Sequence, residues 1–549
     1  MSSSKSVGDA AHLEEKAHSP APLGLAEVQG LEVEGEGDGQ LHRSFTPRQI
    51  HVISLGSNIG SGVFIATGKA LANGGPGNIV LAYAFVGSCV WAVLQTLSEM
   101  TIAFPTSGNF IDYADRWVDP SLAFGAGFAE WLGWLSVAGA EAVFFDILLQ
   151  YWTGDTIPKP ATFTIFLVVI AIIFFLPNGV FAWFEYVTSL IKILLFLLII
   201  ILSFALIGGA GPTGSIHDGS YWRDLEVFKN GFSGFADAAL LAVWAVGDQA
   251  FIGIMGGEAQ SPRFSMAHAT KLVPFRVNFI YLLSVVCITL LVPSDDDRLL
   301  GGSSITASPF VIAVNDAGIP GIPHILNAGM IAGIMAIAAE SIYISSRVLR
   351  TMAHQNLVPR FLAKVDSKGR PRWSLLITCA AWILLTYINL SGGGVTVFTW
   401  LTSLTSASFF INWMIMATSS WRFHQAIKAQ NDGLFSEVYA WKSWKWPLAP
   451  IWLMTCCLVL LACCFTAGLK PLGGDGLSAE NFFKYIIGIL VIVSFTLAYK
   501  LIYRTKLRDP ATADLKYGRR TLSIDEIKQL DEYYSKPLWR RFLTYVQLW

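Results

Sequence analysis

From His51 to Tyr503 the sequence returns repeatedly to apolar runs of roughly 20 residues, the length that crosses a hydrocarbon core of about 30 Å. Backbone at lipid depth must satisfy its own hydrogen bonds, and these runs are too long and too evenly apolar to be barrel strands. They predict twelve helices, at 50–70, 78–103, 121–151, 160–178, 186–208, 231–256, 270–293, 319–345, 374–391, 395–419, 447–468 and 482–504. The fold class is therefore an all-α membrane protein with twelve transmembrane helices. Composition agrees, with 53% hydrophobic and 14% charged residues and a mean hydropathy of +0.52. A formal net charge of -1 offers no footprint for nucleic acid. All seven cysteines fall in apolar stretches and read as packing residues, Cys456-Cys457 and Cys463-Cys464 included, because no His or carboxylate accompanies them.

Three regions follow. Residues 1–46 are polar and acidic, with no hydrophobic period, and predict a disordered N-terminal tail. Nothing at the start resembles a removable signal peptide, so the first span is expected to do the targeting. Residues 47–506 form the twelve-helix body, and residues 507–549 a partly amphipathic C-terminal tail. There Ser523 and Glu526 have the spacing of a capping box, Pro537 should end the helix, and Trp539, Arg540, Arg541, Phe542 and Tyr545 suit a membrane surface. Orientation is read from loop cations. Arg347, Arg350, Arg360, Lys364, Lys368, Arg370 and Arg372 crowd the loop after the eighth span, and Arg422, Lys428, Lys442 and Lys445 the loop after the tenth. The opposite side has few cations and an acidic run at Asp295, Asp296 and Asp297, so both termini are expected in the cytoplasm.

Two spans are built to break. Gly56-Ser57-Asn58-Ile59-Gly60-Ser61-Gly62 places three glycines in seven residues within the first span, each costing a helix up to about 1 kcal/mol relative to Ala. Such a run either packs tightly against neighbouring spans or unwinds. Unwinding frees amides and carbonyls at lipid depth, which is tolerable where a polar ligand satisfies them: a carboxylate suits the amides, an ammonium the carbonyls. The sixth span decides between the two, since Val246-Gly247-Asp248-Gln249 sets a carboxylate and an amide beside a glycine near its middle. The first and sixth spans correspond if spans 1 to 5 and 6 to 10 form a 5+5 inverted repeat, and discontinuous first and sixth helices then meet at a central site.

These residues resemble a known family, the amino acid permeases of fungi and bacteria within the amino acid, polyamine and organocation transporters. The likeness runs from about Arg48 to about Tyr503 and is carried by Gly60-Ser61-Gly62-Val63-Phe64, Gly75-Pro76-Gly77, Ser98-Glu99-Met100, Pro105-Thr106-Ser107-Gly108, Tyr113-Ala114-Asp115-Arg116, Gly257-Glu258-Ala259 and Ser341-Ile342-Tyr343. It implies alternating-access import of amino acids with protons, with the plasma membrane as the usual address. Carried over, it sets the substrate carboxylate on the backbone of Gly60, Ser61 and Gly62 and the ammonium on carbonyls around Asn58, Ile59 and Val246. Ala250, or Gln249, stands where many relatives have a Glu, a departure that bears on which substrate is taken.

Ionisable groups at membrane depth require a partner or a purpose, at roughly 2.5 to 3.5 kcal/mol each. Lys192 resembles a fifth-span Lys of the family that lies near the break and takes the place of a sodium ion. A desolvated Lys can exchange a proton, which suits coupling; snorkelling toward a membrane surface is the other reading. Glu130 and Glu141 lie eleven residues apart, about 20° around one helix, with Asp146 about 140° from Glu141. Glu141 matches a third-span Glu of relatives and either contacts substrate and relays protons or is a hydrogen-bonded structural carboxyl. Glu130 has no reading of its own. With Asp248 and Glu340, this acidic set leans toward a cationic substrate. Thr402, Ser403, Thr405 and Ser408 fall where the family tunes selectivity, although helix packing explains them equally. Glu99, Arg116 and Arg347 are expected in gate-side ion pairs.

The expected partners are thus a small amino acid, protons and the lipid bilayer, with no cofactor, no metal and no enzymatic activity, since the loops carry no metal spacing or nucleophile and base pair. The competing readings are an exchanger or an amine and polyamine carrier of the same fold, and an amino acid sensor that does not transport.

Overall fold

The structure, a computed structural model, describes residues 46–546 apart from 58, 107, 155, 177, 248–251, 254–255, 257–258, 260, 301–307, 367–369, 391–393 and 473–477. The expected N-terminal tail therefore lies almost wholly outside the described residues. Most of the described residues are helical. The elements that frame the site are α1 (Pro47–Gly56), α2 (Gly62–Ala103), α3 (Pro120–Thr153), α4 (Lys159–Phe175), α5 (Asn178–Ile207), α6 (Gly231–Val246), α7 (Pro262–Leu291), α8 (Ile322–His354), α9 (Arg372–Ile388), α10 (Gly394–Gln430), α11 (Leu448–Leu469) and α12 (Ala479–Tyr503). Among the described residues, seven helices are long and apolar enough to cross a membrane, and α4, α6 and α9 are shorter apolar helices. The chain is an integral, multi-pass membrane protein.

Burial separates the centre from the rim. In α3 most residues are enclosed by protein, whereas α5 and α12 turn leucines, isoleucines and valines outward, as helices facing lipid must. The most extensive packing joins α3 to α8 and α2 to α6. Small residues allow it: Gly127 and Gly133 on α3 and Gly74 on α2 face close neighbours on α8, α10 and α6. The boundary between the first two expected spans falls inside α2, at Gly75 (φ 72, ψ 172) and Pro76.

Several expected limits need correction. The fifth helix starts at Asn178 rather than near 186, which brings Glu185 into the span. The eighth continues to His354, so Arg347 and Arg350 are buried helical residues and not loop cations. The tenth continues to Gln430 and takes Arg422 and Lys428 with it. Glu185, Arg347 and Arg350 are buried within the protein, whereas Arg422 is half-buried and Lys428 exposed on the last turns of α10.

At the C-terminus, Ser523 accepts from the Glu526 amide and Glu526 answers on the Ser523 amide, closing the capping box of α13 (Ile524–Ser535). Pro537 separates it from α14 (Leu538–Val546). Before α13 the tail is strapped to the body by Arg508 on Asp115 at 3.0 Å, Arg519 on Asp432 at 2.9 Å and the Arg520 amide on the Ala103 carbonyl at 3.0 Å.

Candidate functional site

The first expected span is interrupted. α1 ends where the Ser57 amide reaches the Ile53 carbonyl at 2.6 Å and Ser57 turns to extended backbone (φ -61, ψ 157). Ile59 and Gly60 are not helical. The chain resumes as a wide turn over Gly62–Ala66, where the Gly60 carbonyl accepts from both the Val63 and Phe64 amides at 3.1 and 3.0 Å. The glycines also answer a packing need. A Cβ on Gly62 would lie 2.4 Å from Cα of Ala245 on α6, and one on Gly60 would lie 2.2 Å from Cδ1 of Ile337 on α8. Tight packing and unwinding, which the sequence set against each other, occur together.

α6 stops beside this break. Its last turn closes with the Gly247 amide on the Val243 carbonyl at 3.1 Å, and Gly247 itself (φ 72, ψ 173) occupies a conformation that L side chains rarely adopt. The Gly62–Ala245 approach therefore joins the two interrupted elements directly. Asn58, Asp248 and Gln249, expected to contribute here, lie outside the described residues.

Across this junction stands Glu141 of α3. The Ser61 hydroxyl donates to its Oε1 at 2.5 Å, and its Oε2 has no hydrogen-bond partner among the described residues. Beside it lies a cavity of about 20 Å³, room for a single water, walled by Gly62, Trp134, Val137, Trp244, Ala245, Gly247, Ile337 and Phe409. Its lining is largely aromatic and aliphatic, with Glu141 as its one carboxylate among the described residues.

Lys192 is fully buried on α5, its Nζ 3.3 Å from Oε1 of the equally buried Glu185. That spacing, two turns along one helix face, excludes the snorkelling alternative. The Lys192 stem runs past Gly333 of α8, where a Cβ would stand 3.2 Å from the Ile59 carbonyl and 3.7 Å from Cδ of Lys192, so the lysine sits against the first break. It also acts electrostatically on Glu141.

Two further groups went unread in the sequence. Glu185 lay just outside the span as drawn, although a carboxylate seven residues before an intramembrane Lys is a legible signal. Arg276, fully buried on α7, donates through Nη1 to the carbonyls of Ser54 (3.0 Å) and Ser57 (2.6 Å) and to the Ser57 hydroxyl (2.9 Å). A cation on the last carbonyls of a half-helix meets both the unsatisfied acceptors and the negative end of the dipole.

The other expected groups are engaged elsewhere. Glu130 accepts from Trp134 Nε1 at 2.8 Å and from Asn412 Nδ2 at 2.6 Å. Asp146 accepts from Thr162 and Gln150 at 2.6 and 3.0 Å. The Thr405 hydroxyl donates to the carbonyls of Leu401 (2.9 Å) and Gly133 (3.2 Å), tying α10 to α3. Thr402 and Ser403 line a separate cavity with Lys69, Asp237 and Trp244. Glu99 pairs with His424 at 2.8 Å and accepts the Ser443 amide at 3.0 Å. Arg116, however, bonds the Tyr517 carbonyl at 2.8 Å, and the Arg347 guanidinium lies 3.6 Å from the Tyr343 ring centre.

Comparison with known proteins shows the family. The family described as amino acid permease matches residues 49–510. Amino-acid permease GAP5 of Candida albicans is 33% identical over 532 residues, covering 94% of this chain and 84% of that protein. The histidine permease of Saccharomyces cerevisiae is 32% identical over 544 residues (95% and 88%), and the general amino-acid permease GAP1 of the same yeast 31% over 512 (91% and 84%). With a match that takes in both interruptions, the carboxylate between them and the buried lysine, the chain belongs to the amino acid permease family.

Proposed function

We propose that this permease imports amino acids together with protons, by alternating access around the junction of its two interrupted helices. The observation that carries the reading is the contact of Gly62 with Ala245 where both elements stop, with Glu141 held to Ser61 across it. In this reading the substrate carboxylate lies on the backbone of Gly60, Ser61 and Gly62, at the start of the resumed helix. The ammonium lies on carbonyls of Asn58, Ile59 and Val246, with Gly247, Asp248 and Gln249 completing the sixth-helix side. Thr405 shapes the wall through its bond to the Gly133 carbonyl rather than touching substrate.

Coupling falls to Lys192 and Glu141. Lys192 bridges Glu185 and the first break, so a proton arriving at Glu141 or Glu185 changes the charge balance beside the substrate. The twelve crossings, the 5+5 repeat, cytoplasmic termini and a plasma-membrane address belong to the same proposal. Relatives named for histidine and for amino acids in general support amino acids over amines. So does the commitment of Glu130 and Asp146 to protein donors, which removes two of the five acidic groups that leaned toward a cation.

The test is uptake into proteoliposomes across a panel of amino acids and polyamines, with and without an imposed pH gradient. Gradient-driven amino acid accumulation is expected. Flux that ignores the gradient would remove the coupling role, flux requiring internal substrate would mark an exchanger, and binding without flux a sensor.

A further inference from the structure

A cavity of about 260 Å³, remote from the junction, lies between the start of α7 and the C-terminal helices. Three cations line it, Arg263 and Lys271 from α7 and Arg541 from α14, and no carboxylate does among the described residues. Trp441, Tyr533 and Leu538 supply an apolar wall. Arg263 donates through Nε to the Tyr439 carbonyl at 2.7 Å, and Arg541 through Nε to the Lys536 carbonyl at 2.7 Å, so among the described residues each guanidinium is fixed in place by an uncharged acceptor. A walled space of one sign that draws on two separate parts of the chain is a binding site for an anion.

The surroundings name the kind of anion. α14 reads Leu538-Trp539-Arg540-Arg541-Phe542-Leu543, a short amphipathic helix whose Leu538, Trp539 and Leu543 are exposed at 79%, 60% and 52%. Apolar side chains left outside beside arginines suit the boundary between headgroups and acyl chains. Trp441 lines the cavity and Trp444, three residues on, is exposed, a pair suited to a membrane interface. Free phosphate would fill only part of 260 Å³ and would leave the apolar wall without a partner.

We infer that this cavity takes the headgroup of a phosphorylated inositol lipid from the leaflet on the C-terminal side, with Arg263, Lys271 and Arg541 on its phosphates and α14 lying among neighbouring lipids. Bound there, the lipid holds the tail against α7, the helix whose Arg276 grips the end of α1.

The test uses the full-length protein in detergent, with native mass spectrometry following addition of phosphatidylinositol monophosphate or phosphatidylcholine. Selective retention of the inositol lipid is expected. Lys271→Ala with Arg541→Ala should weaken it by on the order of tenfold or more, at about 1 kcal/mol for each cation near a membrane surface. Arg540→Ala, a neighbour that does not line the cavity, should leave binding unchanged. Should the double variant not fold, Lys271→Ala alone carries the test, since that side chain is exposed, and a several-fold loss is expected. Unaltered lipid binding in the folded variants would overturn the inference. So would inorganic phosphate competing as tightly as the lipid, which would mark a site for a soluble anion.

Discussion

Glu130 and Glu141 share a helix, a face and nearly complete burial, and they differ in how their oxygens are used. Both oxygens of Glu130 are met by fixed donors, the Trp134 indole and the Asn412 amide, so that carboxylate ties α3 to α10. Among the described residues Glu141 has a donor on one oxygen only, and that donor, Ser61, belongs to the interrupted first span. A buried acid with a donor on each oxygen is part of the frame, whereas one with an oxygen left over beside a cavity is poised to meet a ligand or a proton. Residue type and depth did not separate the two; the count of hydrogen bonds does.

The largest effect should come from the junction itself. Gly62→Leu sets a side chain where a Cβ already lies 2.4 Å from the α6 backbone, and uptake should fall to background even where the protein reaches the membrane. Gly60→Ala meets only the end of Ile337, which can rotate away, and should retain part of the flux; equal loss in both would show that packing at the break is not what matters. Next is Lys192→Met, which strands the Glu185 carboxylate and should cost about 3–5 kcal/mol in thermal unfolding of the purified protein, together with the response to a pH gradient. Glu130→Ala leaves an indole N–H and an amide without acceptors, a loss of about 1–3 kcal/mol for each. Protein that survives should still couple uptake to protons, and uncoupling would erase the distinction from Glu141.

Glu141→Gln reverses that pattern. The Ser61 hydroxyl still finds a carbonyl oxygen, so stability should move by less than about 1 kcal/mol, yet gradient-driven accumulation should vanish while substrate binding persists. The smallest change lies outside the spans, where Arg298 bonds Asp296 and Asp316 at 2.6 and 2.7 Å. The Arg298 guanidinium holds the Asp296 carboxyl below its usual range. That contribution is complete above about pH 4 and fades as pH falls through the lowered value. Arg298→Ala should therefore cost about 0.2–1 kcal/mol at neutral pH and progressively less in acid, as unfolding curves across pH would reveal.

The sequence disclosed the interruption at Gly56–Gly62 because glycine density is a local property, and it disclosed the long apolar helices because apolar length is one too. It disclosed Lys192 because a cation amid Ile and Leu is conspicuous. Arg276 escaped because its acceptors are carbonyls on another helix, more than two hundred positions away, and no pattern of side chains announces a carbonyl. Glu185 escaped through the placement of a boundary, since Asn178, Gly179 and Glu185 made the start of α5 look like loop. Trp134, Trp244 and Phe409 were unreadable as cavity walls for a different reason: with 71 aromatic residues in the chain, only packing decides which few surround the junction.

Because a single guanidinium on α7 clasps two carbonyls and a hydroxyl of the first span, those two rods are pinned like the arms of a lever. Spin labels placed on them should keep one separation through the whole working cycle, while either label measured against α3 should swing.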